Sequence, residues 1–283
     1  VKKQLEQSNI SFDNEYYFLE HHLYHACSAF YGSGFEEAAA LVLDGGGAYV
    51  RDYIECRESE SMYYFSETGK YKLLSQIYTP NNIAKFDKPL KIEDNKWISS
   101  TSSCGGLFNH SCTLSQLHSP GKLMGISPHG NIDEIKDDEW FYYDNETDRW
   151  YTHNKNVLNT IRRLYNNDKM HPHYWETFEN IKPIFQVNAD IGKKIQYETK
   201  KHTIRLIELL LSKVETNNVV LSGGYFLNCV NNYEYVKAFP HINFYIDPLA
   251  HDGGTAHGGA KYVWHHLLNQ KAKYPLKSLF LGG

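Results

Sequence analysis

The sequence predicts an α/β fold that contains at least one parallel pair of strands. Short aliphatic runs at 40–43 and 219–221 each end at a glycine-rich turn, which is typical of buried strands. After the second turn the pattern continues as a helix at 226–239, a strand at 243–246 and a helix at 255–269. This strand–helix–strand–helix order favours parallel pairing, with helices that cover the sheet.

The elements that precede this unit change in character along the chain. Aromatic and small residues at helical spacing predict a helix over 16–32, and a strand, a glycine turn and a second strand are expected over 36–50. Short apolar stretches between 51 and 75 indicate antiparallel hairpins. Proline, asparagine and serine are frequent in 77–103, so we expect a loop there. Residues 105–130 are glycine-rich and are expected to be mostly helical or looped.

The second half of the chain begins with a polar, acidic and aromatic segment. Residues 131–184 show no strong periodicity, and we expect them to form a peripheral insertion. One long amphipathic helix, or two shorter ones, is predicted over 184–214, where Ile191, Ile195 and Ile207 lie at helical spacing.

The composition limits the classes of function. The 283 residues carry a net charge of −4 and are 41% hydrophobic, which allows one large or two modest domains. Nucleic-acid-binding proteins usually carry an excess of basic residues, whereas the net charge here is negative. Nucleic acid is therefore not an expected partner. No apolar run approaches the roughly 18 residues of a membrane span, so we expect no membrane association. Five cysteines without a CxxC spacing indicate reduced thiols and a cytoplasmic location.

Two histidines, His21 and His25, have the spacing of metal ligands. Four residues apart on a helix, their imidazoles would share one face and could hold one ion. Asp252 is the candidate for a third ligand, because the small residues that follow it permit close backbone approach. Two imidazoles and a carboxylate suit Fe²⁺, Zn²⁺ or Mn²⁺. The alternative is that both are ordinary surface residues in a chain with 15 histidines.

Three glycine-rich turns are candidates for phosphate binding, since bare amides at the end of a strand can face an anion. The turn at 44–47 could equally be a simple hairpin turn, because Asp-Gly is a strong hairpin signal. The turn at 222–224 differs, because a helix start with Asn228 follows it. Two such turns in opposite halves of the chain imply a nucleotide held between them. The candidate nucleotide-binding residues are Gly45, Gly46, Gly47, Ser222, Gly223, Gly224, Asn228 and Gly253.

Two further residues are candidates for catalysis. Lys122 lies near two glycines and could contact a phosphate as a mobile point charge, although an isolated surface lysine is the simpler interpretation. Asp44 ends the first predicted buried strand, where its carboxylate is a candidate general base. Asp252 is another candidate, but it is largely committed if it binds the metal.

Five short blocks of the sequence stand out as a set: HHLYHACSAFY at 21–31, LDGGG at 43–47, GKLMG at 121–125, SGGYFLNC at 222–229 and DGGTA at 252–256. In this order they resemble the O-carbamoyltransferases of the nodulation and antibiotic-tailoring type. The blocks are spread over most of the chain, apart from two variable stretches.

The resemblance implies a domain of the actin-like ATPase (ASKHA) superfamily, with nucleotide and metal in a cleft between two ribonuclease-H-like lobes. Residues 1–130 would form the first lobe and 185–283 the second, with the insertion 131–184 between them. Iron or another divalent metal would bind to His21, His25 and Asp252, and Lys122 would lie near a carbamoyl-adenylate. Asp44 and its glycines would form the second phosphate loop, and the nucleotide side would be lined by Ser222, Gly223, Gly224 and Asn228.

The chain departs from the family pattern in several places. The superfamily's first strands, which supply the first phosphate loop, would lie before Val1. A YrdC-like domain, which makes carbamoyl-adenylate from carbamoyl phosphate and ATP, would follow Gly283. Pro120 and Phe108 stand where the family commonly has Glu and Tyr. The related tRNA-modifying protein has a tyrosine metal ligand shortly before its second phosphate loop, and the run that ends at Leu43 offers none.

We therefore expect transfer of a carbamoyl group from carbamoyl-adenylate to a hydroxyl group of a small molecule. A sugar, an antibiotic or a nucleoside would fit, and the variable stretches 51–103 and 131–184 are where we expect the acceptor to be recognised. The alternatives are threonylcarbamoyl transfer to tRNA, which the acidic charge disfavours, and a catalytically silent nucleotide-binding scaffold.

Overall fold

The computed structural model describes residues 20–50, 56–80, 89–99, 103–114, 117, 119–164 and 185–279. Several predictions lie outside these ranges. They are the start of the first helix at 16–19, the first part of the hairpin region at 51–55, part of the expected loop at 81–88 and the end of the expected insertion at 165–184.

One mixed sheet of eight strands forms the centre of the fold. Its strands are β1 Ala38–Leu43, β2 Tyr49–Val50, β3 Cys56–Phe65, β4 Tyr71–Pro80, β5 Leu90–Glu93, β6 Lys96–Ile98, β9 Asn218–Ser222 and β10 Asn243–Ile246. They lie in the order β10-β9-β1-β3-β4-β6-β5, and β2 pairs with β3. The pairs β10·β9, β9·β1 and β4·β6 are parallel, and the others are antiparallel. The predicted α/β class and the parallel pairing of the carboxyl-terminal unit are confirmed.

A separate hairpin, seven α-helices and three short helical segments of other types also lie in the described part of the chain. The hairpin consists of β7 Phe141–Asp144 and β8 Arg149–Thr152. The helices are α1 His21–Ser33, α2 Cys104–Leu114, α3 Pro120–Ile126, α4 Asn154–Leu164, α5 Phe185–Ser212, α6 Cys229–Ala238 and α7 Gly254–Tyr262. The helix predicted at 184–214 is thus a single one of 28 residues.

Strand β1 shows how the helices are divided between the two faces of the sheet. Ala38, Ala40 and Val42 belong to a core that includes the buried residues of α1. The alternate residues of β1 belong to the larger core with α5, because successive side chains of a strand point to opposite faces. All six residues of the strand are buried, which explains the uninterrupted aliphatic pattern.

The loop expected at 77–103 is only partly correct. Strand β4 extends to Pro80, and the short strands β5 and β6 form an antiparallel pair at the edge of the sheet. Asn95 connects them with φ 64°, a left-handed conformation that asparagine tolerates better than most residues. The polar composition therefore reflects an exposed edge rather than the absence of strands.

The expected insertion contributes to the larger core over its described part. Trp140 of this segment is fully buried, and its main-chain N–H donates to Glu198 of α5 at 3.2 Å. Lys194 Nζ lies 2.9 Å from Glu198 Oε1 and donates to the main-chain oxygen of Lys136 at 3.0 Å. The division into two lobes around this segment stays a prediction.

None of the helices in the described ranges is both long and apolar enough to cross a membrane.

Candidate metal and nucleotide site

The two glycine turns that follow β1 and β9 meet at one edge of the sheet. The strands β1 and β9 are parallel neighbours, with Val42 opposite Ser222. The turns that follow them therefore leave the sheet at the same edge. The Gly224 N–H donates to Asp44 Oδ1 at 3.1 Å, which joins the two turns directly. Gly223 has φ 96°, and a Cβ there would lie 2.2 Å from the Leu43 main-chain oxygen. This close approach of the two strand ends requires glycine.

The simple hairpin alternative for the turn at 44–47 does not describe the structure. Strands β1 and β2 on either side of this turn both pair antiparallel with the same edge of β3, with Leu43 opposite Glu60 and Tyr49 opposite Arg57, so the chain continues in one direction and does not reverse. The Gly47 N–H donates to the Glu58 main-chain oxygen at 2.8 Å.

Helix α1 brings its two histidines to this same edge. His21 is the first residue of the helix and His25 lies one turn later, so their Nε2 atoms face the same side and lie 3.1 Å apart. Their carboxylate neighbours come from two different turns. His21 Nε2 lies 3.7 Å from Asp44 Oδ2 and 3.4 Å from Asp252 Oδ1, and His25 Nε2 lies 3.6 Å from Asp252 Oδ1. We call these four residues the His–Asp cluster.

The packing of α7 against α1 places Asp252 beside the histidines. A Cβ at Gly258 would lie 1.8 Å from the Tyr24 main-chain oxygen, so the two helices touch at their backbones. The small residues that follow Asp252 in the sequence therefore permit close packing, as predicted. One ligand atom from each member of the His–Asp cluster lies within 4.8 Å of the others.

The members of the cluster differ in exposure. The His25 side chain is fully buried, whereas the side chain of Asp252 is 73% exposed. Asp44 is also buried, and its main-chain oxygen accepts a hydrogen bond of 2.6 Å from Ser103 Oγ. The cluster thus has a buried side, formed by His25 and Asp44, and an exposed side at Asp252.

The electrostatics of the cluster shift the pKa values of its members in different directions. Burial alone would lower the pKa of His21, but its hydrogen bond to Asp44 and the charges of Asp44 and Asp252 raise it. Burial alone would raise the pKa of Asp44, but the hydrogen bond to His21 and the nearby His22 and His25 lower it well below its usual range. Burial and the neighbouring His21 lower the pKa of His25. An ionised carboxylate and a neutral imidazole are the forms in which these groups coordinate a cation.

Comparisons with known proteins identify the family of the chain. The sequence model of the family described as carbamoyltransferase N-terminus matches residues 3–261. The chain belongs to this family. It is 26% identical over 269 residues to the uncharacterised protein sll1178 of Synechocystis, and 22% identical over 269 residues to the nodulation protein NolNO of Sinorhizobium fredii. The resemblance found in the sequence motifs is thus confirmed.

This carbamoyltransferase domain accounts for only part of each relative. The two alignments cover 90% and 94% of the chain but 37% and 34% of the relatives, so the chain spans about a third of their length. The fold is similar to that of full-length HypF, whose crystal structure is of the phosphate- and nucleotide-bound form. The TM-score is 0.55 at 15% identity, over 91% of this chain and 45% of HypF.

Two predicted nucleotide-binding side chains of the carbamoyltransferase domain are buried and hydrogen-bonded within the protein. Ser222 Oγ donates to Asp247 Oδ2 at 3.1 Å. Asn228 caps α6 by accepting from the Asn231 N–H at 3.3 Å, and its Nδ2 donates to Gln196 Oε1 at 2.6 Å. At these positions the side chains shape the turn, which leaves main-chain groups and glycines as the candidates for ligand contact.

Two further predicted residues lie near or outside the cluster. Gly253 follows Asp252 directly, and its N–H donates to His251 Nδ1 at 3.0 Å. Lys122 is exposed on α3, which packs against α2 and α5. The structure thus gives Lys122 no tie to the His–Asp cluster, and its catalytic role stays a prediction.

Sequence reasoning missed two features of the site. Asp44 was expected to act on phosphate or a proton, yet its carboxylate lies among the candidate metal ligands. Glu58, a buried residue of β3, accepts hydrogen bonds from both the glycine turn and the start of α1. The proximity of Asp44 to His21 depends on the pairing of distant strands, and nothing in the local sequence around Glu58 distinguishes it from an exposed strand residue.

Proposed function

We propose that this domain binds a carbamoyl-adenylate beside a divalent cation and transfers the carbamoyl group to a hydroxyl group of a small molecule. The observation that carries this proposal is the convergence of the His–Asp cluster with two glycine turns that are joined through Asp44 and Gly224. The family match and the fold shared with HypF, whose structure holds phosphate and nucleotide, support the class of reaction.

The donor set of the cluster fits a borderline divalent metal. Two imidazole nitrogens and two carboxylate oxygens lie within a few ångströms of one point, and such mixed nitrogen and oxygen ligands suit Fe²⁺ first, with Zn²⁺ or Mn²⁺ as alternatives. A bound divalent cation would neutralise the charge of the adenylate phosphate. His21, His25, Asp44 and Asp252 would hold it.

The residues of the chain would then serve the transfer in different ways. The acceptor oxygen attacks the carbamoyl carbon, the bond from that carbon to the phosphate oxygen breaks, and AMP leaves with the electron pair. Asp44 is better suited to be a ligand than a base, because Oδ1 accepts from Gly224 and Oδ2 faces His21. Asp252 is exposed and directs Oδ1 toward the histidines, so we assign its other oxygen to the hydroxyl proton.

Titration calorimetry of the metal-free protein tests the site. We expect Mn²⁺ to bind with a stoichiometry of one, and AMP to bind more tightly when Mn²⁺ is present. His25→Ala should weaken Mn²⁺ binding by about 100-fold or more, because it removes a buried ligand. His241→Ala is the matched control, since His241 is exposed and precedes β10 at the opposite, amino-terminal end of the parallel strands. Equal Mn²⁺ affinity in the two variants would contradict the proposal.

A further inference from the structure

Strand β3 contains an irregularity directly beneath the site. Glu58 lies opposite Tyr78 and Glu60 lies opposite Ile77, so Ser59 is an extra residue on this strand. A bulge of this kind changes which side chains share a face of the sheet. As a result Glu58 and Ser61, three residues apart, both contact helix α1.

Both of these contacts are made to His22, the neighbour of the proposed ligand His21. Glu58 Oε2 accepts from the His22 main-chain N–H at 3.2 Å. Ser61 Oγ lies 2.8 Å from His22 Nδ1. The bulged strand therefore holds both the main chain and the side chain of the second residue of α1.

The same carboxylate also holds the first glycine turn. Glu58 Oε2 accepts from the Ala48 N–H at 3.2 Å, and the main chain of Glu58 bonds to Gly47 and Ala48 at 2.8 and 3.3 Å. A Cβ at Gly47 would lie 2.8 Å from Glu58 Oε2, so the glycine permits this close approach. One oxygen atom thus connects the segment that carries Asp44 to the helix that carries His21.

Glu58 is held in place from its other side. Gln76 Nε2 donates to Glu58 Oε1 at 2.9 Å, and Tyr78 donates its hydroxyl hydrogen to Gln76 Oε1 at 2.8 Å. The glutamate is only 1% exposed, and burial raises its pKa to about 7. A carboxylate is costly to bury without a cation, and here both oxygens have N–H donors.

We propose that Glu58 is a positioning residue, which fixes the distance between the first glycine turn and the start of α1 and so sets the geometry of the His–Asp cluster. This inference rests on the proposed function, because the cluster must bind a cation for its geometry to matter. Without the shared acceptor, the His22 and Ala48 amides would separate or recruit water, and His21 would shift relative to Asp44, from which it now lies 3.7 Å away.

Comparing Glu58→Ala with Glu58→Gln tests whether Glu58 positions the metal ligands or only stabilises the protein. Glutamine keeps one oxygen for the two amides, and its NH₂ group can donate to Gln76 once that amide rotates by half a turn. We expect Glu58→Ala to weaken Co²⁺ affinity by about 10- to 100-fold, as loss of an outer support commonly does, and Glu58→Gln to recover most of that loss. The visible absorption spectrum of bound Co²⁺ should change in Glu58→Ala, because the ligand geometry changes.

Glu60→Ala is the matched control. Glu60 lies on the same strand and is also buried, but its carboxylate faces His202 of α5 on the opposite side of the sheet, at 3.8 Å. A loss of Co²⁺ affinity in Glu60→Ala as large as in Glu58→Ala would overturn the inference, since it would then be a general effect of destabilising β3.

The outcomes also distinguish this inference from the proposed function. If the unmodified protein binds no Co²⁺, both are overturned. If it binds Co²⁺ and Glu58→Ala binds it equally well with the same spectrum, only the positioning role is overturned. If Glu58→Ala does not fold, Glu58→Asp, whose carboxylate is one methylene shorter, takes its place, and unchanged affinity in that variant overturns the inference.

Discussion

The two sides of the His–Asp cluster are built differently. Asp44 is buried, and its oxygens face the Gly224 amide and His21, so it belongs to the structure of the sheet edge. The side chain of Asp252 is 73% exposed, and its Oδ1 lies 3.4 Å and 3.6 Å from Nε2 of His21 and of His25. The comparison shows a preformed side, which the fold maintains, and an open side, which a ligand can reach. Changes on the buried side should therefore affect stability and binding together, whereas changes at Asp252 should affect binding alone.

The contact between α1 and α7 connects the two sides and should give the largest effect. In Gly258→Ala the new methyl carbon would lie 1.8 Å from the Tyr24 main-chain oxygen, which cannot move without shifting α1. We expect the free energy of unfolding in urea to fall by about 3 kcal/mol, the upper range for overpacking. Gly259→Ala is the control, because its methyl would lie 3.4 Å from the Tyr24 ring. If both variants are equally stable, the helices do not touch as described.

Asp44 should be the more important of the two carboxylates for stability. Asp44→Ala leaves the Gly224 N–H unpaired and removes the anion beside His21, which we expect to cost about 2 kcal/mol of unfolding free energy. Asp252→Ala should change this free energy by less than about 0.5 kcal/mol, as is usual for an exposed position. Chemical denaturation of the metal-free proteins measures both, and similar values would contradict the distinction between the two sides.

The buried side should also carry a dependence on pH through Glu58. Its pKa of about 7 in the folded protein lies above the value of 4.5 for the free group, so the folded state binds the proton more tightly. The resulting stability is present below pH 4.5 and is lost as the pH rises through 7. Between pH 5 and 8 the unmodified metal-free protein should lose about 2 kcal/mol more unfolding free energy than Glu58→Gln. Equal losses would show that Glu58 keeps an ordinary pKa.

Asp252 should give the smallest change, and only in binding. Asp252→Asn keeps the size of the side chain but removes its charge, so we expect Mn²⁺ affinity to fall by about 10-fold, or about 1.4 kcal/mol. The melting temperature without metal should be unchanged. Calorimetry and thermal denaturation measure the two quantities, and a lower melting temperature without metal would mean that the exposed carboxylate also supports the fold.

The sequence was most informative where local pattern and structure coincide. The aliphatic strands that end in glycine, the spacing of His21 and His25, and the small residues after Asp252 each follow from local periodicity or size. These features were sufficient to predict the α/β class and the proximity of the three candidate ligands. Glycine at 223 could be understood only in the structure, where a Cβ at this position would lie 2.2 Å from the Leu43 main-chain oxygen.

The features that were missed depend on long-range pairing. Asp44 meets His21 because β1 ends and α1 begins at the same edge of the sheet, and Glu58 reaches His22 because a bulge shifts the register of β3. Strands β5 and β6 were predicted as a loop, since a short exposed edge has a polar composition. Such contacts join residues that are distant in the sequence, so local sequence patterns do not reveal them before the fold is known.

A crystal of the protein soaked in Mn²⁺ tests the central claim most directly. An anomalous difference map should show one strong peak at about 2.0–2.3 Å from both His21 Nε2 and His25 Nε2, with Asp44 and Asp252 as its carboxylate neighbours. A map at saturating Mn²⁺ with no peak between the two histidines, or with its strongest peak elsewhere, would contradict the account.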